Sequence, residues 1–199
     1  MIFYALDLIG TFSFAISGAT VTSKKDFDLF GITFLAFVTG IGGGSLRDLL
    51  LGNLPVSWLK DINYLLVILL GVLVSIVFKK VVFRLRKTLF LFDAIGIGIC
   101  TIIGLKKALD IGIHPILACI MGLFSAVLGG VIRDTLCNEV PLIFKKEIYA
   151  TACLIGALVY IVLRNFQIQD DFLNIITVSL IIAIRVISVK YNLSLPKYR

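Results

Sequence analysis

Two Arg-Asp pairs stand inside long apolar runs, and glycines precede both. The first run reads Gly40-Ile41-Gly42-Gly43-Gly44-Ser45-Leu46-Arg47-Asp48, the second Gly129-Gly130-Val131-Ile132-Arg133-Asp134. A charge at the centre of a bilayer costs at least about 2.5–3.5 kcal/mol on insertion scales, so such groups face the protein interior and find partners. A glycine inside a helix costs about 1 kcal/mol relative to alanine. Two uses offset that cost. Small residues let helices pack closely in membranes, or a glycine-weakened helix bends and turns backbone groups toward a polar path, which is tolerated only where the backbone lines a cavity or is buried in protein. Glycine clusters in two places, each followed by Arg-Asp, favour the second use. The chemistry to expect is a polar path through an apolar medium. Gly42, Gly43, Gly44, Gly129 and Gly130 are candidates for the kinked lining of that path, with Ser45 beside them.

Adjacent helical residues point about 100° apart, so Arg47 need not pair with Asp48. Exchange between the two motifs is the expected arrangement: Arg47 with Asp134 or Asp93, and Arg133 with Asp48 or Asp7. Alternatively, each pair caps the end of a broken helix near the interface, and the two readings are compatible. Asp7 and Asp93 begin their helices, where the helix dipole favours an acid. Ser13 and Ser17, with Gly10 and Gly18, give the first helix a small, polar side that could meet the first glycine cluster.

Other chemistries fit poorly. A phosphate loop needs G-x-x-x-x-G-K-[ST], whereas here Arg-Asp follows the glycines. The only histidine, His114, precedes Pro115 and has no partner for a catalytic triad or a metal, and no paired-carboxylate site stands out. Cys100, Cys119, Cys137 and Cys153 form no C-x-x-C. Three read as small core residues, and Cys137 stays open because it adjoins the second motif. No enzyme, cofactor or metal is expected.

The elements that hold these residues repeat at an offset of 86: Asp7 to Asp93, Gly10 to Gly96, Gly18 to Gly104, Pro55 to Pro141, Lys60 to Lys146. Hydrophobic residues are 59% of 199, charged residues 16%, and mean hydropathy is +1.07. That much apolar sequence suits a bilayer rather than a water-soluble core. A spanning helix needs about 20 mostly apolar residues, and seven stretches qualify, near 2–21, 29–51, 62–78, 89–105, 113–136, 148–163 and 172–189. The fold class is an all-α integral membrane protein. Because each copy holds three spans, the second enters from the opposite side, giving two inverted three-helix repeats plus a seventh helix. The divisions are 1–85, 86–168, and 169–199 for the seventh helix and tail, in one membrane domain. That helix reads as packing, lipid or oligomer contact. Basic residues near span ends favour the side opposite the N-terminus by twelve to four, which places the C-terminus in the cytoplasm and the N-terminus outside. Lys79, Lys80, Arg84, Arg86 and Lys87 lie on that cytoplasmic side and suit anionic lipid headgroups. The net charge of +7 is topology and lipid contact, not nucleic-acid binding.

With the doubled motif in place, the chain resembles the prokaryotic TRIC (trimeric intracellular cation) channels and the related bacterial duplicated domain labelled a glycine-transporter type, over about residues 1–190. The resemblance implies a potassium-permeable cation channel in the bacterial inner membrane, with K+ or Na+ as permeant ion. It implies a homotrimer with one pore in each protomer, lined by the second and fifth helices kinked at their glycine motifs. Leu128 replaces the glycine matching Gly42, so the second kink should be milder. Animal members carry Lys-Glu-Val where this chain reads Asn138-Glu139-Val140, so phosphoinositide binding through that lysine is not carried over. Glu139 joins Asp48 and Asp134 as an acid favouring cations. Inverted repeats and broken helices serve a secondary transporter of glycine or another small solute equally well. A non-transporting scaffold would need the buried charges to be purely structural. No obligate protein partner is evident.

Overall fold

The computed structural model describes residues 2–22, 27–78, 86–145, 148–166, 168–191 and 193. Its helices are α1 (Ile2–Thr22), α2 (Leu29–Leu50), α3 (Asn63–Val77), α4 (Arg86–Asp110), α5 (Pro115–Leu136), the single turn α6 (Leu142–Lys145), α7 (Ala150–Arg164) and α8 (Asp170–Lys190). A 3-10 turn, Ser57–Leu59, lies between α2 and α3. Among the described residues, four helices are long and apolar enough to cross a bilayer: residues 3–21 of α1, and α2, α5 and α8. The apolar helices α3 and α7 have 15 residues each, fewer than the expected spans. α4 outruns its expected span, so Lys106 and Lys107 fall inside a 25-residue helix rather than beyond its end.

Helix ends repeat at the same offset as the motifs. The Asp28 carboxylate accepts from Gly31 N–H at 2.7 Å to open α2, and the His114 imidazole accepts from Ile116 N–H before Pro115 to open α5. That accounts for the lone histidine. At the other end Gly52 and Asn138, 86 residues apart, take φ of +68° and +54°. Their successors reach back: Asn53 N–H to the Asp48 carbonyl and Glu139 N–H to the Asp134 carbonyl, both at 2.8 Å. This closure by a left-handed residue satisfies orphan carbonyls and fixes the turn in which each Arg-Asp pair sits.

α1 and α4 pack on each other at the centre. α2 and α3 flank α1, α5 and α7 flank α4, and α8 covers α4 and α7. The larger apolar core follows α4 through Ile97, Ile99, Ile102, Ile103 and Leu105. A smaller one joins Ala15, Ala36, Ile68 and Val72. Outward, α3 presents Leu66, Leu69, Leu70 and Leu73, each about half exposed. A continuous apolar face of that kind suits lipid contact.

α2 and α5 cross at their glycines, and helix continues through both clusters without interruption. A Cβ on Gly43 would lie 2.1 Å from the Ser125 carbonyl oxygen, and one on Gly129 would lie 2.6 Å from the Thr39 carbonyl oxygen. Thr39 and Ser125 are themselves 86 residues apart, so the two contacts are the same contact made twice. These two glycines therefore serve close helix approach. Helix runs on through both clusters, and at Gly43 and Gly129 the bare backbone is covered by the partner helix.

Candidate functional site

The buried charges form two clusters, one at the end of α2 and one at the end of α5. In the first, Arg47 Nε donates to Asp48 Oδ1 at 2.8 Å, and both side chains are buried. The second oxygen of Asp48 accepts from the Ser57 amide at 2.9 Å and from the Ser57 hydroxyl. Lys107, from α4, places Nζ 3.0 Å from Asp48 Oδ1 and 3.0 Å from Ser57 Oγ. Trp58 Nε1 donates to the Ser45 hydroxyl at 3.1 Å, and its ring meets Phe37 edge-on. Tyr64 donates to Asp7 Oδ2 at 2.7 Å. A narrow cleft with about 20 Å³ of water-sized space runs along α2 from Asp48 to Gly40, lined by Asp7, Thr11, Gly44, Ser45, Arg47, Ser57, Trp58, Tyr64 and Cys100. Arg47 Nη1 is buried there without a hydrogen-bond partner among the described residues.

In the second cluster Arg133 Nε donates to Asp134 Oδ1 at 2.8 Å, and Nη1 donates to Asp93 Oδ1 at 2.8 Å and to the Ser17 hydroxyl of α1. Asp134 Oδ2 accepts from the Leu142 amide at 3.0 Å. Arg185 of α8, fully buried, is stacked between the rings of Phe90 and Tyr149, 4.6 and 4.5 Å from their centroids. It donates to the Ile148 carbonyl at 3.1 Å. Asp93 Oδ2, Arg133 Nη2, and Nε and Nη2 of Arg185 are buried without partners among the described residues. Here the corresponding cleft is a narrow groove between Val127, Gly130, Val131, Asp134, Leu142, Ile143 and Tyr149.

Equivalent positions line the two clefts: Gly44 and Gly130, Ser45 and Val131, Asp48 and Asp134, Ser57 and Ile143. The first is polar where the second is apolar. Between them stands the Gly43–Gly129 contact. Each cluster also balances two carboxylates, Asp7 with Asp48 or Asp93 with Asp134, against two cations, Arg47 with Lys107 or Arg133 with Arg185. Paired in this way, charges can be held at membrane depth.

The expected exchange of partners between the copies is corrected here: each arginine binds the aspartate next to it, and Arg133 also binds the acid of its own copy. The arginine side chain is long enough to curl across the 100° step, so its Nε reaches the neighbouring carboxylate while its outer nitrogens turn elsewhere. Asp7 and Asp93 lie beyond the first turns of α1 and α4, so neither is a dipole cap; they are partners for buried donors. Ser13 and Ser17 are buried, and Ser17 meets the second cluster rather than the first glycine cluster. Gly42 packs against Ile132. Glu139 is exposed on the turn after α5. All four cysteines are buried, none in a disulfide, and no group of possible metal ligands occurs among the described residues. Lys79, Lys80 and Arg84 lie outside the described residues, as do the side chains of Arg86 and Lys87.

Lys107, Arg185, Tyr64 and Tyr149 escaped the reading of the motifs. Arg185 had a signal: a lone charge in the run Leu180-Ile181-Ile182-Ala183-Ile184-Arg185-Val186-Ile187 demands a buried partner. Near the first cluster but outside the helices, Asp61 accepts from the Tyr4 hydroxyl and from the Asn63 amide at 2.9 Å. These bonds hold its carboxyl below the ordinary carboxylate range.

The family described as Glycine transporter matches the chain twice, over residues 4–80 and 90–165. The UPF0126 inner membrane protein YadS of Escherichia coli (strain K12) is 36% identical, with 100% of this chain and 97% of that protein covered. Among solved structures, one of the TRIC cation channels, described for the basis of their conductance, is 36% identical with a TM-score of 0.88, covering 100% of this chain and 98% of that one. The TRIC trimeric intracellular cation channel orthologue from Rhodobacter sphaeroides is 33% identical with a TM-score of 0.90, covering 96% and 99%.

Proposed function

Because the chain belongs to the TRIC family, we propose that it is a cation channel, permeable to potassium, with a pore in each protomer running between α2 and α5. The observation that carries this reading is likeness along the whole chain to TRIC cation channels. Charge pairing removes the main physical objection. Arg47 and Arg133 would repel cations if free, but carboxylates of their own copies neutralise them. Gly44, Ser45 and Asp48 line the path in the first copy, Gly130 and Asp134 in the second. The Gly43–Gly129 contact is the constriction that widens on opening.

The architecture in this reading is one membrane domain of seven spans, two inverted three-helix repeats (1–85 and 86–168) followed by the seventh helix and tail (169–199). The chain works as a homotrimer in a bacterial inner membrane, where YadS is found by its description. Its N-terminus is outside, and its basic loops lie against anionic lipid on the cytoplasmic side.

A second reading, passage of glycine or a similar zwitterion by a carrier, is favoured by one observation: Arg47 Nη1 lacks a partner among the described residues beside the polar cleft, as a carboxylate site would require. Purified protein in planar bilayers under asymmetric KCl separates the two. Unitary steps reversing near the potassium equilibrium potential support the channel. Saturable glycine uptake into proteoliposomes without unitary steps overturns it in favour of the carrier.

A further inference from the structure

Asp93, Arg133 and Arg185 of the second cluster are fully buried. Four of their atoms lack a partner among the described residues: Asp93 Oδ2, Arg133 Nη2, and Nε and Nη2 of Arg185. The first cluster matches the corresponding acid differently. There the Tyr64 hydroxyl donates to Asp7 Oδ2, but the residue matching Tyr64 is Ala150, which has no hydroxyl to give Asp93. Nε and Nη2 of Arg185 lie along one edge of the guanidinium, the edge that donates two parallel hydrogen bonds. The rings of Phe90 and Tyr149 on its two faces hold that edge in place. Tyr149 also reaches α5. A Cβ on Gly130 would lie 3.2 Å from the Tyr149 hydroxyl, 3.6 Å from Arg133 Nη2 and 3.9 Å from Asp93 Oδ1. Three polar groups therefore surround a place where α5 carries no side chain.

Nearly all buried polar groups are matched by protein or by ordered water, and a buried water typically makes about three hydrogen bonds. Charge decides between water and a small anion as the ligand here. Arg133 and Arg185 already balance Asp93 and Asp134, so an anion would leave the cluster negative and would sit against a carboxylate. Water adds no charge. Its lone pairs accept from the guanidinium nitrogens, and its protons go to Asp93 Oδ2. We propose that Asp93, Arg133, Tyr149 and Arg185 hold ordered water beside Gly130, between α4, α5 and α8, and that this water links α8 to the second charged cluster. The site concerns water that stays, so it stands whether the chain proves to be a channel or a carrier.

Hydroxyl radicals made from water by a synchrotron X-ray pulse label the side chains that touch that water, and the labels are read by mass spectrometry. The test uses the full-length protein in detergent. Tyr149 and Phe14 are both 1% exposed, but Phe14 lies in the apolar core. Tyr149 should be labelled at least fivefold faster than Phe14. When heavy-oxygen water is mixed in just before the pulse, heavy oxygen should appear at Tyr149 later than at exposed Tyr191, because held water exchanges slowly. Gly130→Ala puts a methyl group among the three polar groups and should lower Tyr149 labelling at least threefold. Gly44→Ala, the equivalent change in the first copy, should leave it unchanged. If Gly130→Ala does not fold, the rate and the lag in wild type decide. Labelling of Tyr149 no faster than Phe14 means a dry cluster and overturns the proposal. Labelling without a lag means passing solvent from the groove and overturns it too, as does full labelling in a folded Gly130→Ala.

Discussion

Gly43→Ala should be among the most damaging single-methyl changes in this chain. The added carbon would lie 2.1 Å from the Ser125 carbonyl oxygen, whereas real contacts essentially never fall below 3.0 Å. That oxygen belongs to the α5 backbone and cannot rotate away, so α2 and α5 must part by about 1 Å. A gap of about 0.5–1 Å forfeits roughly a quarter to a half of the dispersion attraction of the atoms it separates. Overpacking of this kind costs about 1–3 kcal/mol, and helix propensity returns about 1 kcal/mol when glycine becomes alanine. Because here the whole helix crossing is lifted, the net loss should be about 2 kcal/mol. Gly129→Ala, with 2.6 Å to the Thr39 carbonyl, should lose less. Gly44→Ala, whose nearest neighbour is the Arg47 side chain at 3.5 Å, should be neutral or slightly stabilising. Reversible unfolding in mixed micelles with increasing dodecyl sulfate, followed by helical circular dichroism, gives the order. Equal stability of Gly43→Ala and Gly44→Ala would refute the close-approach account of the glycines.

Two other outcomes follow from the clusters and a third from the loop before α3. Arg133→Gln strands Asp93 and Asp134 as buried charges and should cost about 3–5 kcal/mol in the same assay; adding Asp93→Asn should recover part of it, and no recovery would mean the two do not share a charge balance. Arg185→Met removes a guanidinium stacked on two rings and should loosen α8 by about 2 kcal/mol, seen as faster amide exchange along that helix; Arg185→Lys should not restore protection, since an ammonium cannot stack on both rings while bonding Ile148. Asp61 is held below the ordinary carboxylate pKa of about 3.9, so its bonds stabilise the fold above that pH and are lost as pH falls through its lowered value. The stability difference between wild type and Asp61→Asn should be present at pH 7 and vanish as pH falls through the lowered carboxyl pKa; a difference that persists once the carboxyl is protonated would contradict the assignment.

The sequence announced what depends on local chemistry. The 86-residue register located both motifs, whereas the left-handed residues that close α2 and α5, Gly52 and Asn138, carry a compositional mark that the reading of the motifs passed over. Apolar runs gave the helices, with ends off by several residues where lysines extend α4. Partners were harder. Which acid an arginine binds depends on how helices rotate against one another, and neither Lys107 with Asp48 nor Arg185 with Tyr149 has a fixed spacing to betray it. The glycines were ambiguous for the same reason: a bare patch of helix looks alike whether a cavity or another backbone lies against it, and only the crossing of α2 over α5 decides.

The hydrogen bond from Arg133 to Ser17 joins α1 of the first copy to the charged cluster of the second. Its mirror image cannot form, because the residue matching Ser17 is Ile103. Lys107 likewise has only Val21 as a counterpart. An ancestor assembled from two identical halves would have had to satisfy both clusters with the same side chains. Here each half has surrendered something the other supplies, so neither can be exchanged for a second copy of its sister. Each charged cluster is therefore complete only when both halves are present.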